Sequence, residues 1–165
     1  MPRPEASAWA LLRPHLLAAK LDPVRVENAV HPGTPDLNLA TGVWIELKAI
    51  AGWPARQQTV VRLTKYTPQQ RVWLLRRWRA GGGAWLALYV ASCRLWYLFD
   101  GEAAQTIGKV PQFELVNAAR LIGTHEQVAV FFAEREAGFR LLRNQRSAAA
   151  PRPEVTRPAE GRPAP

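Results

Sequence analysis

Three charged side chains lie in the otherwise apolar stretch "HPGTPDLNLATGVWIELKA", which runs from His31 to Ala49. They are Asp36, Glu46 and Lys48, and their neighbours are mainly Leu, Val, Ile and Trp. Burying carboxylates and an ammonium group is costly unless they pair or bind a metal ion. Two carboxylates beside a lysine can hold a divalent cation and act on a water molecule next to it. This chemistry requires the local fold to bring the three groups together.

The register of a hairpin decides whether the two carboxylates meet. A three-residue turn over 40–42, with Gly42 in the left-handed conformation, sets Asp36 opposite Glu46. Directly opposed residues share a face of the sheet. One face is then wholly apolar, with Leu37, Leu39, Val43, Ile45 and Leu47. The other face carries Asp36, Asn38, Trp44, Glu46 and Lys48. A two-residue turn would pair Asp36 with Leu47 and mix the faces, so the first register is predicted.

Two carboxylates at this separation repel each other unless a cation lies between them. Oxygen ligands favour Mg²⁺ or Mn²⁺ over zinc. Lys48 could orient or deprotonate the attacking water, or neutralise charge on a phosphate. The alternative is a surface pair of Glu46 and Lys48, with Asp36 ending an ordinary turn after Pro35. The three groups on one face favour the metal site.

The first half of the chain supplies a helix and several strands around this hairpin. A helix is predicted over 5–20, where Pro14 kinks it or delays its start, and its apolar residues at helical spacing are Trp9, Leu12, Leu16 and Leu17. Strands are predicted over 24–30, 36–39 and 43–50, with a further short strand over 59–63.

The second half begins with a helix that has clear start and stop signals. Thr67 is a natural N-cap, Pro68 suits the first helical position, and "GGG" ends the helix near Ala80. Apolar strands follow over 84–91 and 95–101, and helical patterns over 111–123 and 124–145. These elements predict an α/β fold with a central mixed β-sheet flanked by helices, plus extra C-terminal helices.

Three segments with different roles are predicted along the chain. Residues 1–101 form the core, 102–146 form a helical extension packed on it, and 147–165 form a disordered tail rich in Pro, Ala and Arg. The single cysteine, Cys93, excludes an internal disulfide and fits the cytoplasm. The longest apolar run is too short to span a bilayer, so no membrane partner is expected.

Positive charge is concentrated in one interval of the sequence. Between Glu46 and Asp100 there is no acidic residue, and the nine basic ones account for the whole net charge of +9. Five of the seven tryptophans lie in the same interval. A basic field interleaved with aromatic residues suits a polyanion, most simply a nucleic acid. A basic surface kept for solubility is the alternative.

The motif resembles the signature of the PD-(D/E)XK nuclease superfamily. "GTPD" supplies its first half at Asp36, and "WIELK" supplies its second half at Glu46 and Lys48. "TPQQRVWL", a helix start with a glutamine at Gln70, resembles the third element of the VRR-NUC and Holliday-junction-resolvase-like branch. Small phage-encoded nucleases share this layout, and the resemblance covers residues 7–101.

The resemblance implies a restriction-endonuclease-like core and a Mg²⁺- or Mn²⁺-dependent nuclease acting on DNA in recombination or repair. Asp36, Glu46 and the backbone carbonyl of Leu47 would hold the metal, and Lys48 would serve the water. Gln70 would complete the catalytic set, although Thr67 and Gln70 also form a capping box that explains the glutamine without catalysis. Many relatives have one more acid. Glu5 and Glu27 are the candidates here, and an ordinary solvent-facing role is favoured for both.

The predicted contacts with DNA come from the basic interval and are Arg56, Arg62, Lys65, Arg71 and Arg77. The enzyme is expected to be an endonuclease for duplex or branched DNA in the cytoplasm of a bacterial or phage-infected cell. The alternative is a non-catalytic nucleic-acid-binding module on the same scaffold. A homodimer is a further option, because resolvase-like relatives often act as dimers and "VAVFFAEREAGFRLL" is apolar enough for an interface.

Overall fold

A computed structural model describes residues 4–26 and 33–135 of the chain. Its helices are α1 (Pro4–Ala18), α2 (Pro68–Arg79), a 3₁₀ turn (Ala103–Thr106), α3 (Gln112–Ala118) and α4 (125–135, where the described range ends). Its strands are β1 (Val24–Arg25), β2 (Leu37–Asn38), β3 (Trp44–Ile50), β4 (Ala84–Val90), β5 (Leu95–Asp100) and β6 (Leu121–Gly123).

The strands form one mixed sheet in the order β1-β2-β3-β4-β5-β6. β3 and β4 run parallel, connected through α2, and the other neighbouring pairs are antiparallel. All seven residues of β4 are buried because helices cover both faces of the sheet at its centre. The predicted α/β class and the mixed, helix-flanked sheet are confirmed.

The two faces of the sheet carry separate hydrophobic clusters. On one face, α1 and α4 pack over the hairpin and its neighbours through Leu12, Leu16, Ile45, Leu47 and Phe132. On the other face, α2, the 3₁₀ turn and α3 pack over β4 and β5 through Leu74, Leu86, Leu88, Phe99 and Leu115. The charged face of the hairpin points toward the second layer, next to α2.

Helix α2 begins and ends where the sequence predicts. Thr67 accepts a hydrogen bond from the backbone of Gln70, and the Gln70 side chain accepts one from the backbone of Thr67, which completes the capping box. Pro68 occupies the first turn, and Gly81 takes a positive φ of 80° after the C-cap at Ala80. The helix N-terminus is therefore fixed by local sequence.

Helix α1 differs from its prediction at two residues. It begins at Pro4 and continues through Pro14, so this proline does not delay the start. The carbonyl of Ala10, which loses its donor at Pro14, lies on the exposed side, where water can replace the lost bond. Leu12 and Leu16 are buried as predicted, but Leu17 lies about 100° further around the helix and is 41% exposed.

Three predicted elements need correction. The strand over 59–63 is a single bridge between Val60 and Pro111. The helical pattern over 111–123 is wrong for its last five residues, because α3 ends at Ala118 and Leu121–Gly123 form β6 against β5. Of the strand over 24–30, only Val24–Arg25 is formed within the described residues, because 27–32 lie outside them.

The correction at β6 has a clear physical cause. The apolar sequence of Leu121 and Ile122 is too short to distinguish a strand from a helix by period. The outer edge of β5 offers unpaired backbone groups, and the carbonyl of Leu98 accepts a hydrogen bond from Arg120 at 2.8 Å. The segment predicted as a helical extension therefore also adds a strand to the sheet. Its residues 136–146 and the tail over 147–165 lie outside the described range.

Candidate active site

The hairpin of β2 and β3 brings together the charged residues of the motif. Leu37 lies opposite Ile45 and Asn38 lies opposite Trp44, and Gly42 has a positive φ of 80°. This is the predicted register. The predicted apolar face is buried, with Leu37, Leu39, Val43, Ile45 and Leu47 all at most 6% exposed. Glu46 and Lys48 therefore share the opposite face with Asp36.

Asp36 is fixed against β3 by the backbone. Its Oδ2 accepts the N–H of Leu47 at 2.9 Å, a group that would otherwise bond to the neighbouring strand. In the same ladder, the backbone N–H of Leu39 donates to the carbonyl of Val43 at 2.9 Å. Hydrogen-bonded pairs recur at every second residue of an antiparallel ladder, so Leu47 and Pro35 are at positions of the same kind. Proline has no N–H and gives no ladder donor to the Leu47 carbonyl. That carbonyl points to the same edge as its N–H, toward Asp36.

Glu46 is fully buried, and its two carboxylate oxygens have different surroundings. Its Oε1 accepts hydrogen bonds from Lys48 Nζ and Gln70 Nε2, each at 2.5 Å. Its Oε2 is buried and has no hydrogen-bond partner among the described residues. An unpartnered buried carboxylate oxygen costs free energy unless a proton, water or cation occupies that side.

The electrostatics of Glu46 follow from this geometry. Burial raises its pKa to about 8, and the negative charge of Asp36 adds to this effect. The ammonium group of Lys48 opposes the increase only in part. Asp36 and Glu46 therefore interact directly, and a positive ion between them would favour the charged form of both. The register of the hairpin thus puts the two acids on one face, close enough for the charge of Asp36 to act on Glu46.

Gln70 reaches this site because α2 starts beside the motif. The same side chain caps the helix through its Oε1 and donates to Glu46 through its Nε2, so the two roles do not compete. The loop before Asp36 packs closely here: a Cβ on Gly33 would lie 2.6 Å from the backbone carbon of Gln69. Gly33 also has a positive φ of 89°, so the contact depends on glycine.

A cavity of about 210 Å³ opens at the Lys48 side of the site. Arg62 and Lys65 line it, as does Glu5 from the start of α1. Glu5 pairs with Lys65 at 3.9 Å rather than facing solvent alone. Two of the predicted DNA-binding residues thus lie beside the candidate catalytic lysine. Sequence reasoning assigned Glu5 an ordinary role because helix starts fray, and the other candidate acid, Glu27, lies outside the described residues.

The other three predicted DNA contacts do not join this cavity. Arg56 is exposed in the loop after β3. Arg71 places its guanidinium 4.2 Å from the centre of the Tyr66 ring, and its Nη1 is buried. Arg77 extends over Gly82 near the far end of α2. The basic interval is therefore spread along α2 and its flanking loops.

Tyr66 is a site residue that sequence reasoning missed. It is 5% exposed, and its hydroxyl has no hydrogen-bond partner among the described residues. Its pKa is raised by burial and by the negative charge of Glu46, while Arg71 opposes the increase. The phenol is therefore within electrostatic reach of Glu46. Its position directly before Thr67, where apolar residues often pack against a helix start, was the available signal.

Within residues 4–26 and 33–135, no three side chains of His, Cys, Asp or Glu come together as a metal-binding group. The donors at the motif are two carboxylates and the Leu47 carbonyl. This small, all-oxygen set suits Mg²⁺, which retains several water ligands. In comparisons with known proteins, no family model, curated protein or solved structure matches the chain. No helix in the described part has the length and apolar character needed to cross a membrane.

Proposed function

We propose that this chain is a metal-dependent nuclease that hydrolyses phosphodiester bonds in DNA, an endonuclease for duplex or branched substrates. The observation that carries the proposal is the state of Glu46. It is fully buried beside a second carboxylate, its Oε1 is shared by Lys48 and Gln70, and its Oε2 lacks a donor among the described residues. A divalent cation would resolve both the repulsion and the missing partner.

The donor chemistry fits such an ion. Asp36, Glu46 and the carbonyl of Leu47 would hold Mg²⁺ or Mn²⁺, since all three offer hard oxygen ligands. When bound, the ion would supply charge neutralisation for the phosphate and would acidify the attacking water.

The protein residues have separable roles around this position. Lys48 places a buried positive charge next to Glu46, where it can orient the attacking water and counter charge that develops on the phosphate. Gln70 is a positioning residue, because its amide holds one oxygen of Glu46 and leaves the other free. Asp36 is positioned by the Leu47 N–H. The attack on phosphorus would be in line with the leaving oxygen.

The arrangement of elements supports a restriction-endonuclease-like core. The PD-(D/E)XK resemblance implies a helix, a strand, a hairpin carrying the motif, a helix and a further strand. The chain has α1, β1, the β2–β3 hairpin, α2 and β4 in that order. The third element of the resemblance, the glutamine at the start of α2, contacts the second element directly at Glu46.

The experiment compares cleavage of labelled plasmid, linear duplex and four-way junction in Mg²⁺ and in EDTA. Glu46→Ala and Lys48→Ala should abolish metal-dependent cleavage. Glu102→Ala and Lys109→Ala are matched controls, because both side chains are exposed, and they should cleave like the wild type. Binding that is equal in all variants, with no cleavage by the wild type, would overturn the proposal and leave a non-catalytic nucleic-acid-binding module.

A further inference from the structure

A second cavity, of about 330 Å³, lies on the outer side of the first turns of α2. Its lining residues are Pro68, Gln69, Val72, Trp73 and Arg76. The walls are mainly apolar, and Val72 among them is 63% exposed. An apolar hollow with a cation at its rim requires an explanation beyond core packing.

The cavity is next to the candidate active site. The rings of Trp73 and Trp44 pack edge to face, with 5.4 Å between ring centres. Trp44 lies two residues before Glu46 on the same face of β3. Gln70, which donates to Glu46, is three residues before Trp73, or about 4.5 Å along the helix axis. A ligand bound to Trp73 would therefore have its neighbouring groups close to Glu46.

The composition of the cavity indicates what it holds. It lies in the interval without acidic residues, so its surroundings favour a polyanion. A flat aromatic heterocycle matches a partly buried tryptophan flanked by an aliphatic side chain, and Arg76 can contact a phosphate or the face of a base. A base within a duplex is stacked on both sides and cannot enter such a hollow.

We propose that this cavity binds one unstacked nucleobase of the strand whose phosphate reaches Glu46. The substrate class is then single-stranded nucleic acid, or a duplex with an unpaired base at the cleavage position, as in a branch or flap. The inference rests on the proposed nuclease function and narrows its substrate. Trp73 supplies the stacking surface, Val72 covers one side of the base, and Arg76 contacts the backbone.

The test measures binding in EDTA, where no cleavage is expected. A labelled single-stranded oligonucleotide and its duplex are titrated with the wild-type protein, and one abasic position is moved along the single strand. One position should weaken binding by about 5- to 150-fold, the loss expected for one base–aromatic stack. The intact single strand should bind more tightly than the duplex. A flat abasic scan, or equal binding of both substrates, would overturn the inference.

A variant locates the base on Trp73. Trp73→Leu keeps an apolar side chain against Trp44 but removes the stacking face, and it should lose as much affinity as the critical abasic position. The two losses should not add, because they remove the same contact. Phe113→Leu is the matched control, since Phe113 is a 49% exposed aromatic residue on α3, and it should bind like the wild type. Additive losses would place the base elsewhere.

These readouts separate the inference from the nuclease proposal. Position-dependent binding without any Mg²⁺-dependent cleavage would retain the base pocket and overturn the nuclease. Mg²⁺-dependent cleavage with a flat abasic scan would retain the nuclease and overturn the pocket. The scan uses wild-type protein, so it is informative even if Trp73→Leu fails to fold.

Discussion

The raised pKa of Glu46 predicts that the stability of the metal-free protein falls as the pH rises. The native state holds a proton on Glu46 up to a pH of about 8, whereas the unfolded chain releases it near 4.5. Stability from this group is complete below pH 4.5 and is lost as the pH rises through 8. At 1.36 kcal/mol per pH unit, this interval sets an upper bound of about 5 kcal/mol. Such a loss is comparable to the whole stability of many domains.

The assay is urea unfolding followed by tryptophan fluorescence between pH 5 and pH 8 in EDTA. Glu46→Gln has nearly the same shape but no titrating carboxyl, so it should lack this slope. The difference between wild type and variant should shift by several kcal/mol in favour of the variant as the pH rises.

A divalent ion should reverse the effect. In the proposed site Mg²⁺ would replace the proton at Asp36 and Glu46, so it should stabilise the wild type more at pH 8 than at pH 5. Glu46→Gln should gain little at either pH. Identical pH slopes for wild type and variant in EDTA would refute the reasoning about the buried carboxyl. Equal stabilisation of both by Mg²⁺ would place the ion elsewhere.

Three further predictions test the parts that position the site. Thr67→Ala should cost about 1 kcal/mol of stability and leave cleavage intact, whereas Gln70→Ala should lower both; equal cleavage in the two variants would contradict this. Gly33→Ala should destabilise the protein and reduce cleavage more than Gly42→Ala, because both glycines have a positive φ but only Gly33 packs against α2. Equal thermal unfolding of the two variants would refute this packing argument. Arg62→Ala should reduce the slope of log affinity for DNA against log salt by about one, measured by anisotropy, and an unchanged slope would exclude this residue from the phosphate contacts.

The hairpin could be predicted because several local rules agree on one register. A three-residue turn, unlike a two-residue one, places Leu37, Leu39, Val43, Ile45 and Leu47 on one face, and Gly42 can adopt the positive φ that this turn needs. Opposed residues then share a face, so the meeting of Asp36 and Glu46 follows from the sequence. The start of α2 at Thr67 was predicted for the same reason, since its signals lie within four residues.

The remaining features depend on contacts that are distant in sequence. Strand β6 exists because β5 offers an open edge about twenty-five residues earlier, and three apolar residues carry no usable period. Glu5 lines the cavity at Lys48 because α1 packs against β3, the strand that carries Glu46 and Lys48. The buried ring of Tyr66 lies within electrostatic reach of Glu46 because the start of α2 packs beside β3. Such contacts between distant segments cannot be predicted from local sequence patterns.

The energetics of β3 support the proposed metal site. The neighbouring strand β4 is buried over its whole length with apolar residues only, so this part of the sheet readily accepts them. Replacing a buried ion pair by apolar residues is often neutral or stabilising. If Glu46 and Lys48 served only as a structural pair, Asp36 would be better absent, because its charge raises the pKa of Glu46 and opposes ionisation of that carboxyl. A cation would remove this penalty, since both carboxylates would be attracted to it. Asp36, Glu46 and Lys48 together would therefore destabilise a protein that binds no ion, and a bound divalent ion would offset this cost.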